Sequence, residues 1–133
     1  MKKQIRRGVF ETNSSSVHSL TLCMESDYDR WDKDGLFLFT GSGWCYPDEN
    51  KPEKNHFYTK DEVIAFEKSS KYAPDKDFNW DNEDAVMETL HDNEWYDYDY
   101  YWNTHCEYYE TFEDTTTTPS GERVVAFGYY GHD

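Results

Sequence analysis

The sequence lacks long apolar runs. No segment approaches the roughly 20 apolar residues of a membrane span. The first eight residues include Lys2, Lys3, Arg6 and Arg7, and they are not followed by the apolar run of a signal peptide. Cysteine is scarce too, with three residues and no CxxC pair: Cys23, Cys45 and Cys106. We therefore expect a soluble, cytoplasmic protein with reduced thiols.

Aliphatic side chains are also few. Hydrophobic residues make up 36% of the chain and the mean hydropathy is −1.08, values that by themselves favour disorder. Aromatic residues, however, make up 19%, and each large ring can bury roughly 150–250 Å². At 133 residues, we expect a single domain, residues 1–133, with a Tyr- and Trp-rich core. Its basic end, residues 1–8, either folds back on the acidic body or stays separate.

Positive charge is nearly absent from residues 75–114. This stretch has fourteen carboxylates and one basic residue, Lys76, so it holds −13 of the formal net charge of −15. Such a concentration repels itself and destabilises a compact state, unless packing offsets it. Eleven aromatic residues lie in the same stretch and can supply that packing. The acidity argues against direct binding to nucleic acid or to an anionic membrane.

Two segments have the pattern of amphipathic helices. Residues 59–73 begin with a capping-box pair, Thr59 and Glu62, and end before Pro74. The apolar face of this helix is expected to hold Val63, Phe66 and Tyr72. Residues 81–95 turn apolar side chains inward and carboxylates outward. The outward set is Glu83, Asp84, Glu88, Asp92 and Glu94.

Apolar runs and period-two alternation predict strands at 9–12, 17–24, 36–39, 95–102, 105–112 and 122–130. The first two would form a hairpin around a turn at residues 13–16, and the last two a C-terminal hairpin. In the tract 95–102 (WYDYDYYW), Tyr and Asp would occupy opposite strand faces. We expect an α+β fold, an antiparallel sheet of about five strands with two helices inserted before the C-terminal hairpin.

The acidic helix suggests a binding surface. Residues three or four apart share a helix face and rise 1.5 Å per residue, while B-DNA presents a phosphate about every 3.4 Å on each strand. A carboxylate row can therefore face the Lys and Arg side chains of a groove that binds phosphates. The predicted partner-binding carboxylates are Asp81, Asp84, Glu88, Asp92, Asp97 and Asp99, with aromatic anchors at Trp80, Trp95, Tyr96 and Tyr98. The alternatives are a solvated acidic face or, at residues 75–83, an incidental cation site that lacks the glycine of an EF-hand.

A second candidate site lies near the N-terminus. Ser16 and His18 share a strand face, so a nucleophile–base pair is conceivable, and successive turn amides could form an anion nest. The members of this alternative anion-binding site are Arg6, Arg7, Asn13, Ser14, Ser15, Ser16 and His18. The residues alone favour a plain hairpin turn, because no GxSxG elbow is present. The sequence also has no phosphate-binding glycine motif and no paired metal-ligand spacing, so neither cofactor nor metal is expected.

Residues 6–20, RRGVFETNSSSVHSL, resemble the N-terminal signature of a broad group of small proteins from phages and mobile elements. The resemblance covers about fifteen of the 133 residues and implies phage origin. Small acidic phage proteins include inhibitors of host defence, among them anti-CRISPR proteins that copy DNA. The resemblance therefore favours mimicry by association.

These observations together favour a non-enzymatic inhibitor that acts in the host cytoplasm. Its partner would be a basic nucleic-acid-binding protein, most concretely a CRISPR nuclease, whose Arg and Lys side chains hold nucleic acid. The alternative is a small enzyme or a nucleotide-binding protein that uses the turn from Asn13 to His18.

Overall fold

A computed structural model describes residues 16–132. Within this range the chain forms two compact units. One comprises residues 16–34 and 99–132, and the other comprises Gly35–Tyr98. The expectation that the chain is one domain stays a prediction. No helix in the described range is both long and apolar enough to span a membrane.

The first unit is built on a three-stranded antiparallel sheet in the order β1-β6-β5. Its strands are β1 (Ser16–Met24), β5 (Glu110–Thr117) and β6 (Arg123–His132). Gly128 of β6 lies opposite Leu20 on one side and Phe112 on the other. A Cβ at Gly128 would lie 1.9 Å from the carbonyl oxygen of Ser19, so this position needs glycine for the two strands to approach.

The alternation predicted for β1 is present, with Thr21 buried on the inner face. Leu20, Leu22 and Met24 are exposed on the outer face. Within the described range β1 pairs with β6. The hairpin partner predicted at residues 9–12 and its turn at 13–15 lie outside that range.

Aromatic rings form the core of the first unit, as the composition predicts. Helix α1 (Glu25–Lys33) buries Tyr28 and Trp31, three residues apart on one helix face. The Trp31 ring centroid lies 5.1 Å from that of Phe127 and 5.2 Å from that of Tyr101. Aromatic pairs at such separations contribute about 0.5–1.5 kcal/mol each beyond the area they bury.

The strand predicted over residues 95–102 is wrong. Only Trp95–Tyr96 is a strand, β4; a helical turn, α4 (Tyr98–Tyr100), continues into a π-helical turn at Tyr101–His105. The buried positions explain the difference, since Tyr98, Tyr101 and Trp102 are three and four residues apart. That is helical spacing, and it prevails over the alternation of Tyr with Asp.

His105, at the end of the π-helical turn, makes the stability of the first unit depend on pH. Its Nε2 lies 3.0 Å from the Tyr129 hydroxyl, and the two rings pack edge to face at 5.1 Å. Burial lowers the pKa of His105 from 6.5, so the unfolded chain takes up the proton first as the pH falls. The contribution of His105 is therefore fully present above pH 6.5 and is lost below it.

We expect the unfolding free energy difference between wild type and His105→Gln to shrink as the pH falls from 8 to 5. Urea titrations of both proteins at each pH measure it. The other histidines are common to both proteins, so they cancel in the difference. If the difference in unfolding free energy does not change with pH, His105 is not the source of the pH dependence.

The second unit combines a small sheet with two helices. The sheet has the order β3-β2-β4, with β2 at Phe37–Phe39 and β3 at His56–Tyr58. The helices are α2 (Lys60–Ser69) and α3 (Glu83–Asp92), and a short 3-10 turn lies at Asp48–Asn50. The hydrophobic core contains Phe37, Phe39, Val63, Val86, Leu90 and Trp95.

Local signals set where these helices begin. The predicted capping box is confirmed, because Thr59 accepts from the Glu62 amide at 3.2 Å and Glu62 accepts from the Thr59 amide at 2.8 Å. Helix α2 nevertheless ends at Ser69, so the predicted extent of 59–73 is too long, and Tyr72 is exposed rather than part of the apolar face. Helix α3 begins after Asn82, whose side chain accepts from the Ala85 amide at 3.2 Å.

The expected α+β class and a C-terminal hairpin, β5–β6, are confirmed, but β5 begins at Glu110, so the strand predicted at 105–112 is wrong over its first five residues. Helices α2 and α3 lie within the two predicted segments, and the described residues also form α1 and α4. The single sheet of about five strands is not found, since the described residues form two three-stranded sheets. Periodicity identifies strands but does not choose partners. Here β1 pairs with β6, which lies about a hundred residues further along the chain.

Candidate functional site

Helix α3 presents a row of exposed carboxylates. Asp84, Glu88 and Asp92 follow one another at four-residue spacing and lie opposite the buried stripe of Val86 and Leu90. Asp81 is also exposed and lies just before the helix. We call Asp81, Asp84, Glu88 and Asp92 the acidic face.

No cation of the described chain neutralises the acidic face. Among residues 16–132, none of its four carboxylates has an ion pair within 4.0 Å. The neighbouring Glu83 does, because both its oxygens accept from Lys60 Nζ at 2.6 Å. Lys68 lies over the Trp80 ring, 5.3 Å from the centroid. Within residues 16–132, the carboxylates of the acidic face are therefore without a salt-bridge partner, unlike the carboxylate of Glu83.

Two other predicted carboxylates do not extend this row. Asp97 is half-buried and binds His91 Nε2 at 2.7 Å, so it already has a local partner. Asp99 is exposed but belongs to the other compact unit. Of the six carboxylates predicted from sequence to bind a partner, four therefore form one exposed row at α3.

Three of the four predicted aromatic anchors lie in the core. Trp95, Tyr96 and Tyr98 are 0%, 8% and 9% exposed, so they offer no ring face to a partner. A chain with few aliphatic residues needs its large rings to exclude water from the core, and this need explains their burial. Trp80 is half-buried, and its ring packs edge to face on Phe78 at 4.7 Å.

A cleft of about 210 Å³ lies beside the C-terminal end of α3. Its lining includes Gly41, Trp44, Tyr46, Tyr72, Asp92 and Glu94. The sequence did not reveal this cleft, because residues 44–56 have the composition of a plain loop. One feature of the sequence could have indicated the cleft. Trp44 directly follows the glycine-rich segment 41–43, in a loop where a buried core residue is not expected.

The carboxylate of Glu67, a residue that is 1% exposed, supports the wall of this cleft through hydrogen bonds. Glu67 accepts from the Tyr46 hydroxyl at 2.6 Å, from Trp95 Nε1 at 3.3 Å and from Asn93 Nδ2. Burial, and secondarily the bond to Glu67, raises the pKa of Tyr46 far above 10, so its hydroxyl remains a donor. Three neutral donors thus satisfy this carboxylate and fix Tyr46 and Asn93 in the cleft wall.

Glu94 lies in the cleft with a left-handed backbone, φ 70°. This conformation follows the end of α3, where glycine is favoured. The amide and the hydroxyl of Thr40 both donate to the Glu94 carbonyl, at 3.0 and 3.1 Å. A Cβ at Gly41 would lie 3.1 Å from Glu94 Oε1 and 2.9 Å from Phe39 Cζ, so glycine at residue 41 makes room for the Glu94 side chain.

Most of the second candidate site, Arg6, Arg7, Asn13, Ser14 and Ser15, lies outside the described residues. Ser16 opens β1, where its backbone pairs with His132. His18 is exposed and stands opposite Tyr130.

Two of the three thiols, those of Cys23 and Cys106, show no sign of activation. Burial raises the pKa of Cys23 and that of Cys106 to about 12, so both remain protonated at neutral pH, and a protonated thiol is neither a good nucleophile nor a metal ligand. Among residues 16–132, no three His, Cys, Asp or Glu side chains are grouped to hold a metal ion.

No protein-family model, curated protein or solved structure matches this chain. Its function must therefore be inferred from the surfaces of the molecule itself.

Proposed function

We propose that this protein is a phage-type inhibitor of a host nucleic-acid-binding defence protein, most concretely a CRISPR nuclease. It would act in the host cytoplasm without catalysis, by placing its acidic face in the groove that holds nucleic acid. The observation that carries the proposal is the acidic face, a row of exposed carboxylates without a neutralising cation in the described chain.

The chemistry of such a groove supports the proposal. CRISPR nucleases hold the guide–target duplex in a positively charged channel and contact its backbone rather than its sequence. A rigid helix with carboxylates about 6 Å apart along its axis can meet Lys and Arg side chains that are spaced for phosphates. Because its own charge is strongly negative, the protein would bind the nuclease and not the nucleic acid.

Charge reversal on α3 tests the proposal. In Asp84→Lys/Glu88→Lys, two carboxylates that face cations become like charges, which costs several kcal/mol. We expect affinity for a purified, guide-loaded CRISPR nuclease to fall at least about a hundredfold. Isothermal titration at low and high salt measures the affinity, and a nuclease protection assay shows whether target DNA competes.

The matched control is Asp75→Lys/Asp77→Lys, which makes the same change in net charge at exposed residues before α3. We expect this control to lose far less affinity, and mainly at low salt, because exposed long-range charge is screened. Two results would contradict mimicry: equal losses in both variants, or simultaneous binding of target DNA and this protein.

A further inference from the structure

Two exposed aromatic rings form a corner at the cleft. Trp44 and Tyr72 are 65% and 63% exposed, although most large rings in this chain are buried. Their centroids are 5.4 Å apart and their planes meet at 71°. We call this pair the aromatic corner. It presents two nearly perpendicular ring faces beside one cavity.

The backbone holds the aromatic corner in place before any ligand arrives. Trp44 lies in a tight turn in which the Tyr46 amide donates to the Gly43 carbonyl at 3.1 Å. Gly43 has φ +77°, a conformation that favours glycine. The Lys71 amide donates to the Cys45 carbonyl at 2.7 Å, which ties this turn to the chain beside Tyr72. Binding would therefore cost little ordering of the protein.

The lining of the cleft is also negative. Asp92 and Glu94 line it and are exposed. Both lie at the C-terminal end of α3, where the helix dipole favours cations. Glu94 keeps a side chain at a position where glycine would avoid backbone strain, and this places its carboxylate over Gly41.

The aromatic corner also attracts positive charge. The ammonium of Lys71 lies 6.0 Å from the centroid of Tyr72, the outer range of a cation–π contact. Lys71 is exposed and its stem is flexible, so a better-matched cation can displace it. An aromatic corner that shares a cleft with two carboxylates favours a cation with both a flat face and N–H donors.

We propose that this cleft binds the guanidinium group of an arginine side chain presented by the partner protein. A guanidinium can stack on an indole ring while donating to carboxylates in its own plane, whereas an ammonium has no flat face and a quaternary ammonium has no donor. The identity of the partner rests on the proposed function. The guanidinium site itself does not depend on it.

A small ligand tests the cleft directly. N-acetyl-arginine methylamide would be titrated into the full-length protein while the Trp44 indole N–H is followed by NMR, its signal assigned with Trp44→Phe. We expect saturable shifts of this signal. The citrulline analogue, which has nearly the same shape but no charge, should produce none. Equal shifts with citrulline, or tighter binding of the trimethyl-lysine analogue, would overturn the guanidinium assignment.

Matched variants distinguish binding in this cleft from a general effect of the protein's negative charge. In Asp92→Asn/Glu94→Gln we expect arginine-analogue binding to weaken at least about fivefold, and Trp44→Leu, which lacks the reporter indole and is titrated by calorimetry beside wild type, should have a similar effect. The control Asp84→Asn/Glu88→Gln removes the same charge from the same helix outside the cleft lining, and it should bind as wild type does. Equal weakening in all variants would refute the proposal that the guanidinium binds in the cleft.

The two proposals fail in different ways. If the arginine analogue binds at Trp44 but the nuclease is insensitive to Asp84→Lys/Glu88→Lys, the proposed function is wrong and the cleft stands. If the charge reversal abolishes nuclease binding but no arginine analogue binds, the cleft assignment is wrong and the proposed function stands.

Discussion

Replacing Glu67 by glutamine is expected to lower the free energy of unfolding by about 2 kcal/mol, because hydrogen bonds to a charged group contribute about 1.5–3 kcal/mol each and bonds between neutral groups about 0.5–1.5 kcal/mol. One oxygen of Glu67 accepts from Tyr46 and Trp95, and the other accepts from Asn93. A glutamine amide has one oxygen and one NH₂ group. If the NH₂ group faces Tyr46 and Trp95, donors face donors inside the buried site; if it faces Asn93, the Asn93 amide must turn to present its oxygen, and all the bonds lose their charge assistance.

Urea unfolding of Glu67→Gln, monitored by tryptophan fluorescence, measures this loss. The matched control is Glu62→Gln in the same helix, where the side chain is exposed and glutamine preserves the capping box. We expect the control to remain within about 0.5 kcal/mol of wild type, as surface substitutions usually do. A loss of less than about 1 kcal/mol in Glu67→Gln would show that the buried carboxylate is not a supporting element.

Substituting alanine for Gly128 is expected to have a comparable or larger effect. The added methyl would lie 1.9 Å from the Ser19 carbonyl oxygen and 3.0 Å from the Phe112 ring. The first of these atoms belongs to the paired strand and cannot rotate away. The strands must therefore separate, and we expect a loss of about 3 kcal/mol or more, as for severe overpacking of a core.

Gly121→Ala is the comparison for this substitution. Gly121 has φ +90°, but a methyl group added there would meet no atom within 4 Å. Alanine at this position therefore adds backbone strain alone, which should lower the free energy of unfolding by about 1 kcal/mol. Thermal unfolding of the two variants should show a clearly larger decrease for Gly128→Ala. Equal decreases would mean that β1 and β6 can move apart without cost.

Local signals allowed part of this structure to be predicted from sequence. The capping pair Thr59 and Glu62 contact each other within one helical turn, so spacing alone identifies them. The acidic face of α3 follows from the helical period in the same way. Both depend on residues that are close in the chain.

Features that depend on tertiary packing could not be predicted. Nothing in the sequence around Trp95 distinguishes a ring that packs in the core from a ring that binds a partner. Its burial depends on β2 and α2, which precede it by many residues. The cleft likewise joins Trp44, Tyr72 and Glu94 from three separate segments. Only the path of the chain through the second unit brings them together.

The chain order of the two compact units has a consequence during synthesis. Gly35–Tyr98 is continuous, so all of its strands and helices exist once Tyr98 has been added. In contrast, β1 must wait for β6, which ends 34 residues later. At about 5–20 residues per second, the ribosome needs about 2–7 s for that interval.

During those seconds the nascent chain carries an uncharged strand with exposed Leu20 and Leu22 and without its native neighbour β6. Such a strand is a template for pairing with other chains. Residues 75–98 of the acidic stretch are already translated, and between neighbouring ribosomes the repulsion of their charges would keep growing chains apart. The same charge that suits a basic groove would thus protect the protein while it is being made.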